Sequence, residues 1–88
     1  MLGRVKDALR VGGETFDGEI EAIIGACLAD LGLGGVGRIT PDDPLIVRAV
    51  VLYAKANFGY SDESEKYQRA YEFLKCSLSL GGDYAEMV

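Results

Sequence analysis

The side chains that could do acid–base or metal chemistry are carboxylates and thiols, because the sequence contains no histidine. Histidine is the commonest general base and the commonest metal ligand. Closely spaced carboxylates occur in two clusters, Asp42-Asp43 and Asp62-Glu63 with Glu65. Each cluster stands where a helix is expected to begin, and helix capping accounts for acidic residues there. Neither has the alternating D-x-D-x-D-G spacing of a calcium-binding loop, so we expect neither to be a catalytic or metal site.

The two cysteines, Cys27 and Cys76, are expected to be reduced core thiols. Two cysteines are too few for a disulfide framework or for a zinc site built from cysteine alone. Without a histidine to activate either thiol, nucleophilic catalysis is not expected. The sequence therefore predicts a protein of cytoplasmic origin that is not an enzyme and uses no cofactor or metal.

A glycine-rich segment at residues 32–37 contains the dinucleotide-binding pattern G-x-G-x-x-G. In that motif a strand precedes the glycines and a helix begins within them, so that the helix N-terminus meets the pyrophosphate. Here a predicted helix precedes the glycines, and Pro41 and Pro44 delay the next helix. We therefore expect a flexible or tightly turned loop and no nucleotide site.

Two helices are predicted before this loop. The first is short, ends at Gly12-Gly13 and has an apolar stripe made of Leu2, Val5 and Leu9. The second is expected to use Thr15 or Asp17 as its N-cap and to end at Gly32 in a left-handed conformation. Its apolar residues follow the spacing of one buried helix face: Phe16, Ile20, Ile23, Ile24, Cys27, Leu28 and Leu31.

The third predicted helix is the most apolar segment of the chain. Asp43 followed by Pro44 is a strong start signal, and Gly59 is expected to end the helix. Residues 45–58 are apolar nearly all the way round, apart from a narrow stripe with Arg48 and Lys55. Such a helix is expected at the centre of its domain. It is also shorter than the roughly 20 residues that cross a bilayer, so we expect no membrane partner.

The fourth predicted helix has apolar residues on two sides. It is expected to start at Ser61 or Asp62, with Asp62 and Glu65 forming a capping box. Its core stripe comprises Tyr67, Ala70, Tyr71, Leu74 and Leu78. At about 100° per residue, a second stripe projects to the opposite side near Arg69, namely Phe73, Cys76 and Leu80. Either the first helix or the tail (Tyr84, Met87, Val88) covers this stripe, or a neighbouring subunit does.

Together these segments predict a small all-α single domain of about four helices over residues 1–80, with a short flexible C-terminal tail at 81–88. The net charge is −5, from 14 acidic and 9 basic residues, which points away from a general nucleic-acid binder. Arg4, Lys6 and Arg10 lie in the first helix, whereas residues 11–37 contain five acidic residues and no basic one. Such segregation suits head-to-tail assembly.

The ordered set of segments resembles the small head–tail connector proteins of long-tailed bacteriophages and prophages, a family often labelled as DNA-packaging proteins. The resemblance spans residues 4 to 84. It rests on VKDALR at 5–10, the acidic helix at 16–30, DPLIVRAV at 43–50, Tyr53 and KANFG at 55–59, EKYQRAYE at 65–72, Leu74-Lys75 and Leu78-Ser79. The loop at residues 32–37 is the main departure.

The resemblance implies a structural protein without enzymatic activity, made in the host cytoplasm and located at the head–tail junction of the virion. Such proteins form a homo-oligomeric ring below the portal, extend the DNA channel and dock tail-side completion proteins. DNA would pass without specific binding, which an acidic protein favours. The residues themselves suggest an inter-subunit contact at Arg69, Phe73, Cys76 and Leu80.

The alternative is a small helical prophage regulatory or DNA-binding module. It would need a recognition helix that exposes basic residues. The third helix is too apolar for this role, and the fourth offers only Lys66, Arg69 and Lys75.

Overall fold

The computed structural model describes residues 1–59 and 62–81. These residues form four α-helices, α1 (Leu2–Leu9), α2 (Asp17–Leu33), α3 (Pro44–Asn57) and α4 (Ser64–Leu80), and no β-strand lies among them. The prediction of an all-α domain of four helices is therefore confirmed. The predicted tail lies outside the described residues except for Gly81.

Helix α3 is the central helix, as its composition predicts. The Asp43 carboxylate accepts a hydrogen bond from the Leu45 amide at 2.8 Å, and Pro44 occupies the first turn. Helix α3 packs against all three other helices. Its buried side chains are those of Ile46, Ala49, Val50, Val51, Leu52 and Ala54. The remaining core comes from one face of each neighbouring helix and from Val36 after α2: Val5 from α1, Ile20, Ile24, Cys27 and Leu31 from α2, and Tyr71 and Leu78 from α4.

The predicted N-caps of α2 are wrong. Phe16 occupies the cap position, and no side chain caps the helix. The Asp17 carboxylate instead lies 2.7 Å from the Lys6 ammonium group of α1. An ion pair between two helices has thus taken the carboxylate that the sequence pattern assigned to the cap.

The predicted end of α2 at Gly32 is also wrong, because the helix continues through Leu33. Gly35 supplies the left-handed residue, with φ of 95°. The Val36 amide donates to the Leu31 carbonyl at 3.0 Å, and the Gly35 amide donates to the Gly32 carbonyl at 3.2 Å. This pair of bonds is a Schellman motif, and the buried Val36 side chain provides the apolar contact that accompanies it. The first glycine of the loop, Gly32, therefore belongs to the helix, and Gly34 is its C-cap.

The predicted start of α4 and its capping box are wrong as well. Helix α4 begins at Ser64 after Glu63, and no side-chain hydrogen bond caps it. Glu65 instead pairs with Arg69 one turn further along. Ser61 lies outside the described residues.

The predicted core stripe of α4 is largely confirmed. Tyr71 and Leu78 are buried, and Tyr67 and Leu74 are partly buried. Ala70 is exposed, contrary to the prediction, because it lies at the edge of the stripe.

Candidate functional site

The residues that could do chemistry are not assembled into a reactive site in the described part of the chain. Asp43 serves as a helix cap, and Glu65 forms an ion pair with Arg69. No group of three or more cysteine, aspartate or glutamate side chains among the described residues could hold a metal ion. Local structure therefore accounts for one carboxylate in each cluster, Asp43 and Glu65.

The two cysteines differ in environment. Both are free thiols, Cys27 buried and Cys76 exposed. Burial raises the pKa of the Cys27 thiol to about 12, although a hydrogen bond with Tyr71 acts in the opposite direction. A thiol that keeps its proton is a poor nucleophile. The prediction that both are core thiols is wrong for Cys76, whose position on α4 turns it to solvent.

A polar connection between α2 and α4 was not predicted from the sequence. The Asp30 carboxylate accepts a hydrogen bond from the Tyr71 hydroxyl at 2.6 Å and one from the Lys75 ammonium at 3.0 Å. The Tyr71 hydrogen bond, with help from Lys75, lowers the pKa of Asp30 despite partial burial. Burial and the acceptor Asp30 raise the pKa of Tyr71, so its hydroxyl stays protonated and remains a donor. The three side chains fasten the two helices to each other.

The glycines after α2 allow this end of the helix to lie close to α4. A Cβ atom placed on Gly34 would lie 3.0 Å from the Lys75 Cδ, and one on Gly35 would lie 3.6 Å from the Ser79 Cβ. No helix begins within the glycine segment, because α3 starts only at Pro44. The segment is thus a helix end that packs tightly, and the prediction against a nucleotide motif agrees with this geometry.

The four residues suggested as an inter-subunit contact share one exposed face of α4. Phe73 is 77% exposed and Leu80 is 80% exposed. Cys76 is exposed between them, and the Arg69 side chain, paired with Glu65, is 78% exposed. We call Arg69, Phe73, Cys76 and Leu80 the α4 outer face.

Helix α1 does not cover the α4 outer face, since it packs mainly on α2 and α3 and leaves Phe73 and Leu80 exposed. The tail residues named as the other cover, Tyr84, Met87 and Val88, lie outside the described residues. Large apolar side chains exposed together on one helix are typical of a surface that another protein contacts.

Helix α2 also has an exposed face, which was not predicted from the sequence. Its side chains are small, and Leu33 at its end is 89% exposed. These residues recur at helical spacing, a pattern visible in the sequence: Ala22, Gly25, Ala26, Ala29 and Leu33. We call them the α2 outer face.

The solvent-exposed charged residues of α2 are acidic. Glu19 and Glu21 are exposed, and within the described residues neither has an ion pair. The two ion pairs that α2 does form, through Asp17 and Asp30, point toward α1 and α4. The solvent-facing side of α2 therefore carries acidic residues and small side chains.

No helix in the described part of the chain is both long enough and apolar enough to span a bilayer. A small helical domain that leaves a large apolar face uncovered has the features of a subunit of a larger assembly.

Comparison with protein families is consistent with that class. The family model described as phage connector protein matches residues 1–85. The chain therefore belongs to the phage connector protein family, as the resemblance predicts. No curated protein and no solved structure matches it significantly.

Proposed function

We propose that this chain is the subunit of a homo-oligomeric ring below the portal vertex of a phage head. The ring extends the DNA channel and docks tail-side completion proteins. Membership of the phage connector family over residues 1–85 carries the proposal. The uncovered apolar face of α4 supports it, because a subunit must present a surface that its neighbours can bury.

The contact between subunits is proposed to include the α4 outer face. Burying one large apolar side chain contributes roughly 1.5–3 kcal/mol, so Phe73 and Leu80 are the strongest candidates for binding energy. The Arg69 guanidinium has five N–H donors in a fixed geometry and suits a carboxylate on the neighbour. Cys76 lies between the apolar residues and fills space as a small hydrophobic group.

The chain is proposed to be purely structural, with no enzymatic activity and no cofactor. The capping role of Asp43 and the raised pKa of the Cys27 thiol support this part of the proposal. A net charge of −5 supports a channel through which DNA passes without specific binding, since cationic contacts supply most non-specific affinity for DNA. We place the assembled protein at the head–tail junction of the virion, after synthesis in the host cytoplasm.

Deleting the gene from the phage or prophage that encodes the chain tests this function. DNA-filled heads and free tails should accumulate without joining, as seen by electron microscopy of the lysate. Supplying the wild-type chain in trans should restore joined particles. Supplying a Phe73→Ser/Leu80→Ser variant should not, whereas the exposed loop variant Thr40→Ala should. Normal joined virions in the deletion strain would refute the connector function.

A further inference from the structure

We propose that the α4 outer face of one subunit packs against the α2 outer face of the next subunit. This inference rests on the proposed ring and specifies its contact. The occupant of the α4 outer face is thus a second copy of this chain, bound through a different surface.

The position of the two faces supports a head-to-tail contact. Helices α2 and α4 each pack against α3, and each turns its outer face to solvent. One copy can therefore offer its α4 outer face to one neighbour and its α2 outer face to the other. Contacts between two different surfaces of identical chains generate a ring when the rotation between neighbours closes, whereas a surface that contacts itself generates a dimer.

The shapes of the two faces are complementary. The α4 outer face presents the large side chains of Phe73 and Leu80. The α2 outer face presents alanines and Gly25, and a Cβ atom built on Gly25 meets no heavy atom within 4 Å. The distance between packed helices depends on the size of the side chains at the contact, so large residues on one helix fit against small residues on the other.

Charge fixes a parallel register for the two helices. Glu19 and Glu21 lie in the first half of α2, whereas Lys66 and Arg69 lie in the first half of α4, where Arg69 is paired with Glu65 and Lys66 has no ion pair among the described residues. Placing Lys66 beside Glu19 brings opposite charges together, and opposite potentials favour the correct docking orientation.

The same register pairs the apolar ends of the helices. Residues 19 and 33 are separated by about 21 Å along α2 at ~1.5 Å per residue, and residues 66 and 80 are separated by the same length along α4. Leu80 therefore meets Leu33, which is otherwise almost fully exposed. Between these ends, Phe73 lies near Ala26 and Cys76 lies near Ala29.

Disulfide trapping in the full-length chain tests this register. Native Cys76 is exposed, and Ala29→Cys adds its proposed partner on the neighbouring subunit. Because every chain then carries both thiols, mild oxidation with diamide should give a ladder of linked dimers, trimers and larger species on a non-reducing gel. Thr40→Cys, in the exposed loop before α3, is the matched control and should give no ladder. Removing the native thiol with Cys76→Ser should abolish the ladder of the Ala29→Cys chain.

The outcomes separate this inference from the proposed ring. A ladder specific to Ala29→Cys supports the contact. Linked dimers alone, equally abundant in the wild-type chain, would show α4 contacting α4 and would overturn it. Rings by mass measurement without a ladder would overturn this register and leave the ring intact. A chain that neither associates nor cross-links would refute both.

Discussion

Tyr71 shows how one residue can serve two parts of the structure. Its ring is buried against α3, where it lies edge-on to Tyr53 with ring centroids 5.0 Å apart. Its hydroxyl reaches across to Asp30 of α2. Burial of the ring and satisfaction of the hydroxyl by a charged acceptor are therefore coupled.

Removing the Tyr71 hydroxyl should destabilise the fold. Tyr71→Phe leaves Asp30 without its shortest hydrogen bond and is expected to lower the free energy of unfolding by about 1–2 kcal/mol. Tyr67→Phe is the matched control, because the Tyr67 hydroxyl donates to Glu63 in an exposed position at 3.1 Å. It should cost less than about 0.5 kcal/mol. Urea unfolding of the two variants measures both values, and equal losses would contradict a special role for the Asp30 connection.

Asp30 should make the free energy of unfolding depend on pH in the acidic range. Its pKa is lower in the folded chain, chiefly because of the Tyr71 hydrogen bond, than in the unfolded chain. Ionised Asp30 therefore stabilises the fold above the ordinary aspartate pKa of about 4, and the contribution disappears as pH falls through the lowered folded value.

The comparison that isolates this effect is wild type against Asp30→Asn. The variant should be less stable at pH 7, and the difference should shrink steadily as pH falls below about 4. Urea unfolding at a series of pH values measures the difference. A difference that stays constant down to the acid limit of folding would show that the charge of Asp30 is not the stabilising feature.

Among the elements, α3 was the easiest to predict and the boundaries of α2 and α4 were the hardest. Asp43 and Pro44 form a local start signal, in which the Asp43 carboxylate accepts a hydrogen bond from the Leu45 amide two residues further on. The carboxylates at the starts of α2 and α4 are ambiguous as capping residues, because Asp17 pairs with Lys6 and Glu65 pairs with Arg69. Local sequence cannot show which of several nearby partners a carboxylate takes.

The candidate site was predicted in part for a similar reason. Helical spacing alone places Phe73 and Leu80 opposite the core stripe of α4, so that face could be identified. The α2 outer face and the Asp30–Tyr71 contact depend on which helix packs beside which. Alanine and glycine are compatible with either burial or exposure, so the residue type of Ala26 does not predict that it faces solvent.

The end of α2 provides a test at the scale of one element. Gly35→Ala introduces a Cβ at φ of 95° and is expected to lower the free energy of unfolding by about 1–2 kcal/mol. Gly25→Ala is the matched substitution within the helix, where open space and better helix propensity should raise stability by about 1 kcal/mol. Thermal unfolding followed by circular dichroism measures the two shifts, and shifts of the same sign would refute the assigned helix end.

For the molecule as a whole, the α4 outer face should matter for assembly and not for folding. Phe73→Ser and Leu80→Ser alter side chains that are already exposed, so each should change the free energy of unfolding by less than about 0.5 kcal/mol. Leu78→Ser, two residues before Leu80, alters a buried side chain and should cost several times more. Chemical unfolding of the three variants measures this contrast. A large loss at Phe73 or Leu80 would mean that the face is covered within one chain.

The proposed function requires a ring in which neighbouring copies bury the α4 outer face. A cryo-electron microscopy reconstruction of the head–tail junction, from virions of the phage that encodes this chain, tests that claim most directly. We predict a ring of this chain below the portal, with Phe73 and Leu80 buried between adjacent copies. A junction that lacks the chain, or a ring in which these two side chains face solvent, would contradict it.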